Sequence, residues 1–208
     1  MNNVPNLLSL SRLVATVVIF VLVLVDEPWS FLITTALFLL ASATDLLDGY
    51  FARRLHVVST LGVFLDLTAD KIFVSTILIG LVQIRLVPAW IVIIIVAREF
   101  LVTGLRSMAA AKGKVIPAGI WGKQKTFITL VAIGGLLLAK GLGAHQLSLF
   151  PVMLVFNSST LNVGEILLLS AEVLLLLAVL WTALSGIEYM VNSLPLFQRE
   201  RETNTTQA

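Results

Sequence analysis

Residues 29–52 read WSFLITTALFLLASATDLLDGYFA, and residues 61–84 read LGVFLDLTADKIFVSTILIGLVQI. Each run is too long for a strand and close to the ~20 apolar residues a helix needs to cross ~30 Å of hydrocarbon. Comparable runs occupy 6–25, 87–109, 120–139 and 163–190. Composition agrees: 58% of the 208 residues are hydrophobic, 12% are charged, and the mean hydropathy is +1.01. A soluble domain carries about 25% charged residues. The pattern predicts an all-α integral membrane protein, a bundle of about six transmembrane helices. One polytopic domain spans 1–197, with a short interfacial start at Val4–Ser11 and a polar, disordered cytoplasmic tail over 198–208.

Charge sets the expected orientation. With the N-terminus inside, twelve basic residues lie on or border the cytoplasmic side, and only Arg85 and Lys140 face outward, beside Asp26 and Glu27. That is a strong positive-inside bias, and it puts both termini in the cytoplasm. Met1–Ser11 has no basic n-region, so it does not read as a signal peptide. The glycine-containing stretch Lys140–Asn162, broken by Pro151, reads as an outer loop; it contains a short glycosylation-type pattern at Asn157. A net charge of +2 gives no reason to expect a nucleic-acid partner. The absence of cysteine excludes disulfides, zinc–thiolate sites and a thiol nucleophile. With only His56 and His145 available, any metal site must be built mainly from oxygen ligands.

The chemistry gathers where the second run ends and the third begins. Asp48, Gly49 and Ala52 lie about −60°, +40° and −20° from Asp45 on a helical wheel, so the four share a face. Gly62, Asp66 and Asp70 follow at i, i+4 spacing and make a second stripe. The short connection predicts that the two helices are antiparallel neighbours, bringing four carboxylates together. Small residues at 49, 52 and 62 allow close approach. The blander reading is that the aspartates merely face water at the interface. Each charge placed within the membrane costs ~3 kcal/mol, however, and surface charges need not fall on two stripes. Four converging carboxylates call for one or two hard cations: magnesium, manganese or calcium.

The segment Asp45 to Asp70 fits D-x2-D-G-x2-A-R-x8-G-x3-D-x3-D at every fixed position, and so resembles the CDP-alcohol phosphatidyltransferases. The likeness extends to Val4–Arg12, to Ala97–Arg106, and from Lys112 through Trp121-Gly122-Lys123-Gln124-Lys125-Thr126. These stretches are similar to the bacterial branch of the family whose acceptor is glycerol 3-phosphate. One departure is Leu67, where many members carry proline. The resemblance covers roughly residues 4–135; beyond that only a hydrophobic pattern remains.

The resemblance implies a CDP-diacylglycerol donor, a glycerol 3-phosphate acceptor, phosphatidylglycerol phosphate and CMP as products, and a homodimer in a bacterial-type inner membrane. It implies two Mg2+ or Mn2+ ions held by Asp45, Asp48, Asp66 and Asp70, with Asp70 also receiving the acceptor's proton. A carboxylate beside divalent metal is a weak base, so orientation is part of that role. Asp45, Gly49, Ala52, Arg53 and Gly62 would bind the CDP-lipid, and Asn6 and Arg12 resemble positions near the active site. For the acceptor's phosphate, Arg98, Arg106, Lys123 and Lys125 are the candidates. Arginine's planar fork suits phosphate oxygens. Lys123 and Lys125 fall about 200° apart on a helix, so both face one pocket only if the helix starts between them. Topology-setting, snorkelling charge is the alternative for all these cations and the preferred reading for Lys112 and Lys114. Glu99 pairs with an arginine or faces solvent. Other acceptors (serine, inositol phosphate, phosphatidylglycerol) remain the alternative within the family, and a divalent-cation transporter the alternative outside it.

Overall fold

The computed structural model describes residues 4–55, 60–111, 120–144 and 163–205, with side chains for 10–44, 67–110, 124–144 and 163–191. Six helices account for nearly all of it: α1 (Val4–Val25), α2 (Pro28–Leu55), α3 (Thr60–Gln83), α4 (Ala89–Ala111), α5 (Ile120–Gly141) and α6 (Val163–Thr205). Among the described residues there is no strand. The helices begin and end within a few residues of the apolar runs, apart from the C-terminal end of α6. That helix continues past Val191 to Thr205, so the segment expected as a disordered tail is helical through 205. The reason is local. Gln198-Arg199-Glu200-Arg201-Glu202 are all good helix formers, although their polarity ends the hydrophobic pattern. Most of the expected outer loop, from 145 to 162 and including Asn157, lies outside the described residues, as do His56 and the Lys112–Lys114 segment.

Tight turns set the helix directions. Two residues join α1 to α2, with Asp26 at φ 54° and Pro28 opening α2, where its missing N–H costs nothing. At the end of α3, Leu86 N–H bonds back to Leu81 O at 2.9 Å around Arg85 at φ 61°. At the end of α5, Ala144 N–H reaches Ala139 O at 3.1 Å around Gly143 at φ 80°. Both are left-handed caps that close a helix and reverse the chain.

Contacts between helices complete the topology. Arg12 meets Asp70, and Phe20 and Val23 lie against Gly80, so α1 and α3 run parallel. Leu32 packs on Gly141 and Phe38 on Gly134, so α2 and α5 run antiparallel. The most extensive contact is α5 on α6, where a Cβ at Gly135 would come within 2.9 Å of the Ala171 Cβ. The principal packing pairs close into a ring: α1 on α2, α2 on α5, α5 on α6, α6 on α4, α4 on α3, and α3 back on α1. Phe38 and Phe73 stack across it at 5.5 Å, joining α2 to α3. Alternation places the starts of α1, α3 and α5 and the ends of α2, α4 and α6 together.

The interior is apolar and tightly closed, with Phe31, Ile77, Ile95, Ile133, Leu137 and Leu168 buried. Four buried hydroxyls are satisfied within their own helices, Thr16, Thr35, Thr129 and Thr182 each donating to the carbonyl four residues back, whereas the buried Thr34 Oγ1 makes no hydrogen bond among the described residues. The outer surface is apolar too. Val17, Leu40, Ile93, Phe127 and Leu184, on five different helices, are between 63% and 66% exposed. Water does not favour so continuous an apolar surface; lipid does. Among the described residues, Val163–Val191 of α6 is the one segment long and apolar enough, at 29 residues and hydropathy 2.4, to meet a strict criterion for a span. Shorter apolar stretches run over Leu10–Val25 and Pro28–Thr44.

Candidate active site

At one end of the ring the polar residues collect. Asp45, Asp48, Gly49, Ala52 and Arg53 occupy the last turns of α2, and Gly62, Asp66 and Asp70 the first half of α3. Of these, Asp70 is the one whose side chain is described. Helix α3 runs unbroken past Leu67, whose carbonyl accepts a hydrogen bond from Lys71 Nζ at 3.2 Å.

Helix register relates the undescribed positions to described ones. Asp45 lies seven residues beyond Phe38, and Asp66 seven residues before Phe73. Seven residues are about two turns, or ~10 Å, with almost no change of face. Because the two phenylalanines stack and the helices run antiparallel, positions 45 and 66 fall at the same level along the two helices. All-oxygen donors at 45, 48, 66 and 70 on two such helices suit a hard divalent cation. Among the described residues, no three metal-ligating side chains come together.

Asp70 itself is held from α1. Arg12, 5% exposed, places NH1 2.5 Å from Asp70 Oδ1, while Asp70 is 44% exposed. The pair joins residues 58 positions apart, and the sequence indicated it only through the position of Arg12 near the active site in related proteins. An arginine at this depth in an apolar bundle calls for a partner, which is the physical signal that was available.

A second cluster joins α4, α5 and α6. Lys125 is buried and its Nζ pairs with Glu99 Oε1. The same oxygen lies 3.6 Å from Arg98 NH1, and Arg98 NH2 donates to Ser185 Oγ at 3.0 Å. The buried Arg98 Nε makes no hydrogen bond among the described residues. Of the four cations expected to meet a phosphate, Arg98 and Lys125 are brought together. Arg106 is exposed two turns further along α4, close enough to Lys71 to act on it electrostatically. The side chain of Lys123 lies outside the described residues. Helix α5 begins at Ile120, before both lysines, and it is Lys125 that turns inward. The expectation that Glu99 pairs with an arginine is met at longer range, with lysine the nearer partner. Ser185 was missed, although Thr182, Ser185 and Gly186 form a small, polar interruption in a largely apolar helix.

A ring of helices with an apolar exterior and paired charges gathered inside one end is a helical membrane-type scaffold around a polar site. The chain belongs to the CDP-alcohol phosphatidyltransferase family, whose profile matches residues 2–185 and so ends on the serine that holds Arg98. It is 40% identical over 202 residues to CDP-diacylglycerol–glycerol-3-phosphate 3-phosphatidyltransferase of Bacillus subtilis (strain 168), covering 91% of this chain and 94% of that protein. The protein of the same name from Rickettsia bellii (strain RML369-C) is 35% identical, covering 77% and 90% respectively. The probable phosphatidylglycerophosphate synthase of Mycobacterium tuberculosis (strain ATCC 25618 / H37Rv) is 34% identical over 196 residues, covering 92% of this chain and 82% of that protein.

Proposed function

We propose that the protein transfers the phosphatidyl group of CDP-diacylglycerol to glycerol 3-phosphate, giving phosphatidylglycerol phosphate and CMP. An acceptor hydroxyl oxygen forms a bond to the phosphorus that carries diacylglycerol. The bond from that phosphorus to the bridging oxygen breaks, and CMP leaves with the electron pair. The hydroxyl proton passes to Asp70, whose carboxylate Arg12 orients. Asp45, Asp48, Asp66 and Asp70 would hold two Mg2+ or Mn2+ ions, which when bound neutralise the diphosphate and the departing CMP. Asp45, Gly49, Ala52, Arg53 and Gly62 receive the CDP-lipid. Arg98, Arg106, Lys123 and Lys125 receive the acceptor's phosphate, with Arg98 and Lys125 the pair brought together.

The apolar exterior and the alternation of the helices support a multi-pass protein of the inner membrane, and the family resemblance supports a homodimer. The excess of basic residues at the site's end supports a cytoplasmic site and cytoplasmic termini.

The observation that carries the acceptor assignment is the pair of inward cations, Arg98 and Lys125, at the same end as the aspartate helices. A neutral acceptor would not need two further cations of this kind. A pathway for divalent cations would be obstructed by them, which disfavours a transporter.

Arg98→Ala is expected to raise the KM for glycerol 3-phosphate about tenfold to a hundredfold, the worth of a charge-assisted contact. The KM for CDP-diacylglycerol changes much less, and discrimination against plain glycerol narrows. Steady-state kinetics with each substrate varied in turn checks this. An unchanged KM for glycerol 3-phosphate contradicts the acceptor assignment.

A further inference from the structure

Glu99 sits oddly for a residue in an anion-binding subsite. It puts a negative charge where a phosphate is to bind, and one of its oxygens, Oε1, faces both cations: it pairs with Lys125 Nζ and lies 3.6 Å from Arg98 NH1. A phosphate oxygen between a lysine and an arginine would make the same bridging contact.

The three groups differ in how freely they can move. The side chains of Lys125 and Arg98 are 3% and 14% exposed, whereas that of Glu99 is 27% exposed. Arg98 is also anchored from the far side by Ser185 on α6. The cations are therefore built into the ring, and the carboxylate is the most exposed member of the three. Two cations packed this closely in an apolar bundle repel one another and need an anion at all times. Arg98 Nε, buried and without a hydrogen bond among the described residues, leaves a donor over after Glu99 and Ser185 are counted.

We propose that Glu99 is a resident anion of the acceptor subsite, occupying the place of the acceptor's phosphate in the ligand-free protein and yielding it when the acceptor binds. The proposal rests on the acceptor reading above and adds a specificity-determining residue to it. An incoming ligand must outcompete a carboxylate already in place. A dianionic phosphate monoester can do so, and a neutral alcohol cannot. The empty subsite is thereby kept neutral enough to be stable in lipid and closed to weak or uncharged acceptors.

The test compares the full-length wild type with Glu99→Gln, which keeps the shape and removes the charge. Thermal unfolding in detergent is followed without ligand, with glycerol 3-phosphate and with glycerol, alongside steady-state kinetics. Without ligand, Glu99→Gln unfolds at a lower temperature. Its upward shift on adding glycerol 3-phosphate exceeds that of the wild type, and its KM for that acceptor falls roughly threefold to tenfold. Glycerol shifts neither protein. A variant that is destabilised but gains no more than the wild type from glycerol 3-phosphate, with KM equal or higher, makes Glu99 a brace and overturns the proposal.

If Glu99→Gln does not fold, Glu99→Asp, which withdraws the charge by one methylene, gives changes of the same sign and smaller size; the opposite sign overturns the proposal. The two failures are distinguishable. A wild type that forms no product with glycerol 3-phosphate contradicts the acceptor reading itself. Product formation without the larger shift contradicts the exchange alone.

Discussion

Asp66→Asn, in a protein that stays folded in detergent, lowers turnover by about a thousandfold, and Asp48→Asn does the same. The size follows from the task assigned to these carboxylates. Metal-assisted stabilisation of a departing phosphate contributes several kcal/mol, and ~4 kcal/mol is about three orders of magnitude in rate. Asparagine keeps the volume and one oxygen but removes the charge that holds a hard cation. Positions 45 and 66 each lie about two turns from the stacked Phe38–Phe73 pair, so in the proposed site the loss of a ligand from either helix has the same consequence. Excess EDTA should abolish wild-type turnover equally. Turnover with purified variants, alongside thermal unfolding to show folding, checks both. A folded Asp66→Asn protein with near-wild-type turnover, or full activity in excess EDTA, contradicts the metal site.

Arg12→Ala is expected to lower kcat by about tenfold to a hundredfold while leaving the KM for each substrate within a few fold. Arg12 is nearly buried and its guanidinium fixes Asp70 from a different helix. Without it, Asp70 loses the contact that fixes its carboxylate in the proposed reaction. The unfolding temperature should also fall, because the pair ties α1 to α3 in the ring. Arg12→Lys should recover part of kcat, since it keeps the charge and loses the planar fork. Initial-rate kinetics separates the two parameters, and a kcat for Arg12→Ala within twofold of the wild type removes Arg12 from the account.

The membrane-type helices were legible because apolar run length is a direct physical requirement, and 87–109 or 120–139 could be neither strands nor loops. The continuation of α6 to Thr205 was not, because helix propensity in Arg and Glu persists after the hydrophobic pattern stops. The aspartate stripes follow from 3.6-residue periodicity along α2 and α3, but of their side chains only Asp70 lies among the described residues. What joins distant helices was not. Arg12 to Asp70 and Glu99 to Lys125 are products of how the ring closes, and no local pattern encodes that closure. The inward turn of Lys125 shows the limit clearly. A helical wheel separates it from Lys123 by about 200° but does not say which side is the interior. Ser185 was obscured for a different reason. The motifs that carry the resemblance end near residue 135, although the family match runs to 185, and one hydroxyl among the several of α6 becomes informative only once Arg98 is beside it.

The central claim is the acceptor, and the most direct measurement is the product formed by purified protein from CDP-diacylglycerol and Mg2+ or Mn2+. The acceptors offered in parallel are glycerol 3-phosphate, glycerol, serine, inositol phosphate and phosphatidylglycerol. The account predicts CMP release and phosphatidylglycerol phosphate with glycerol 3-phosphate, and little product with the others. Efficient product from serine, inositol phosphate or phosphatidylglycerol, with none from glycerol 3-phosphate, would contradict it.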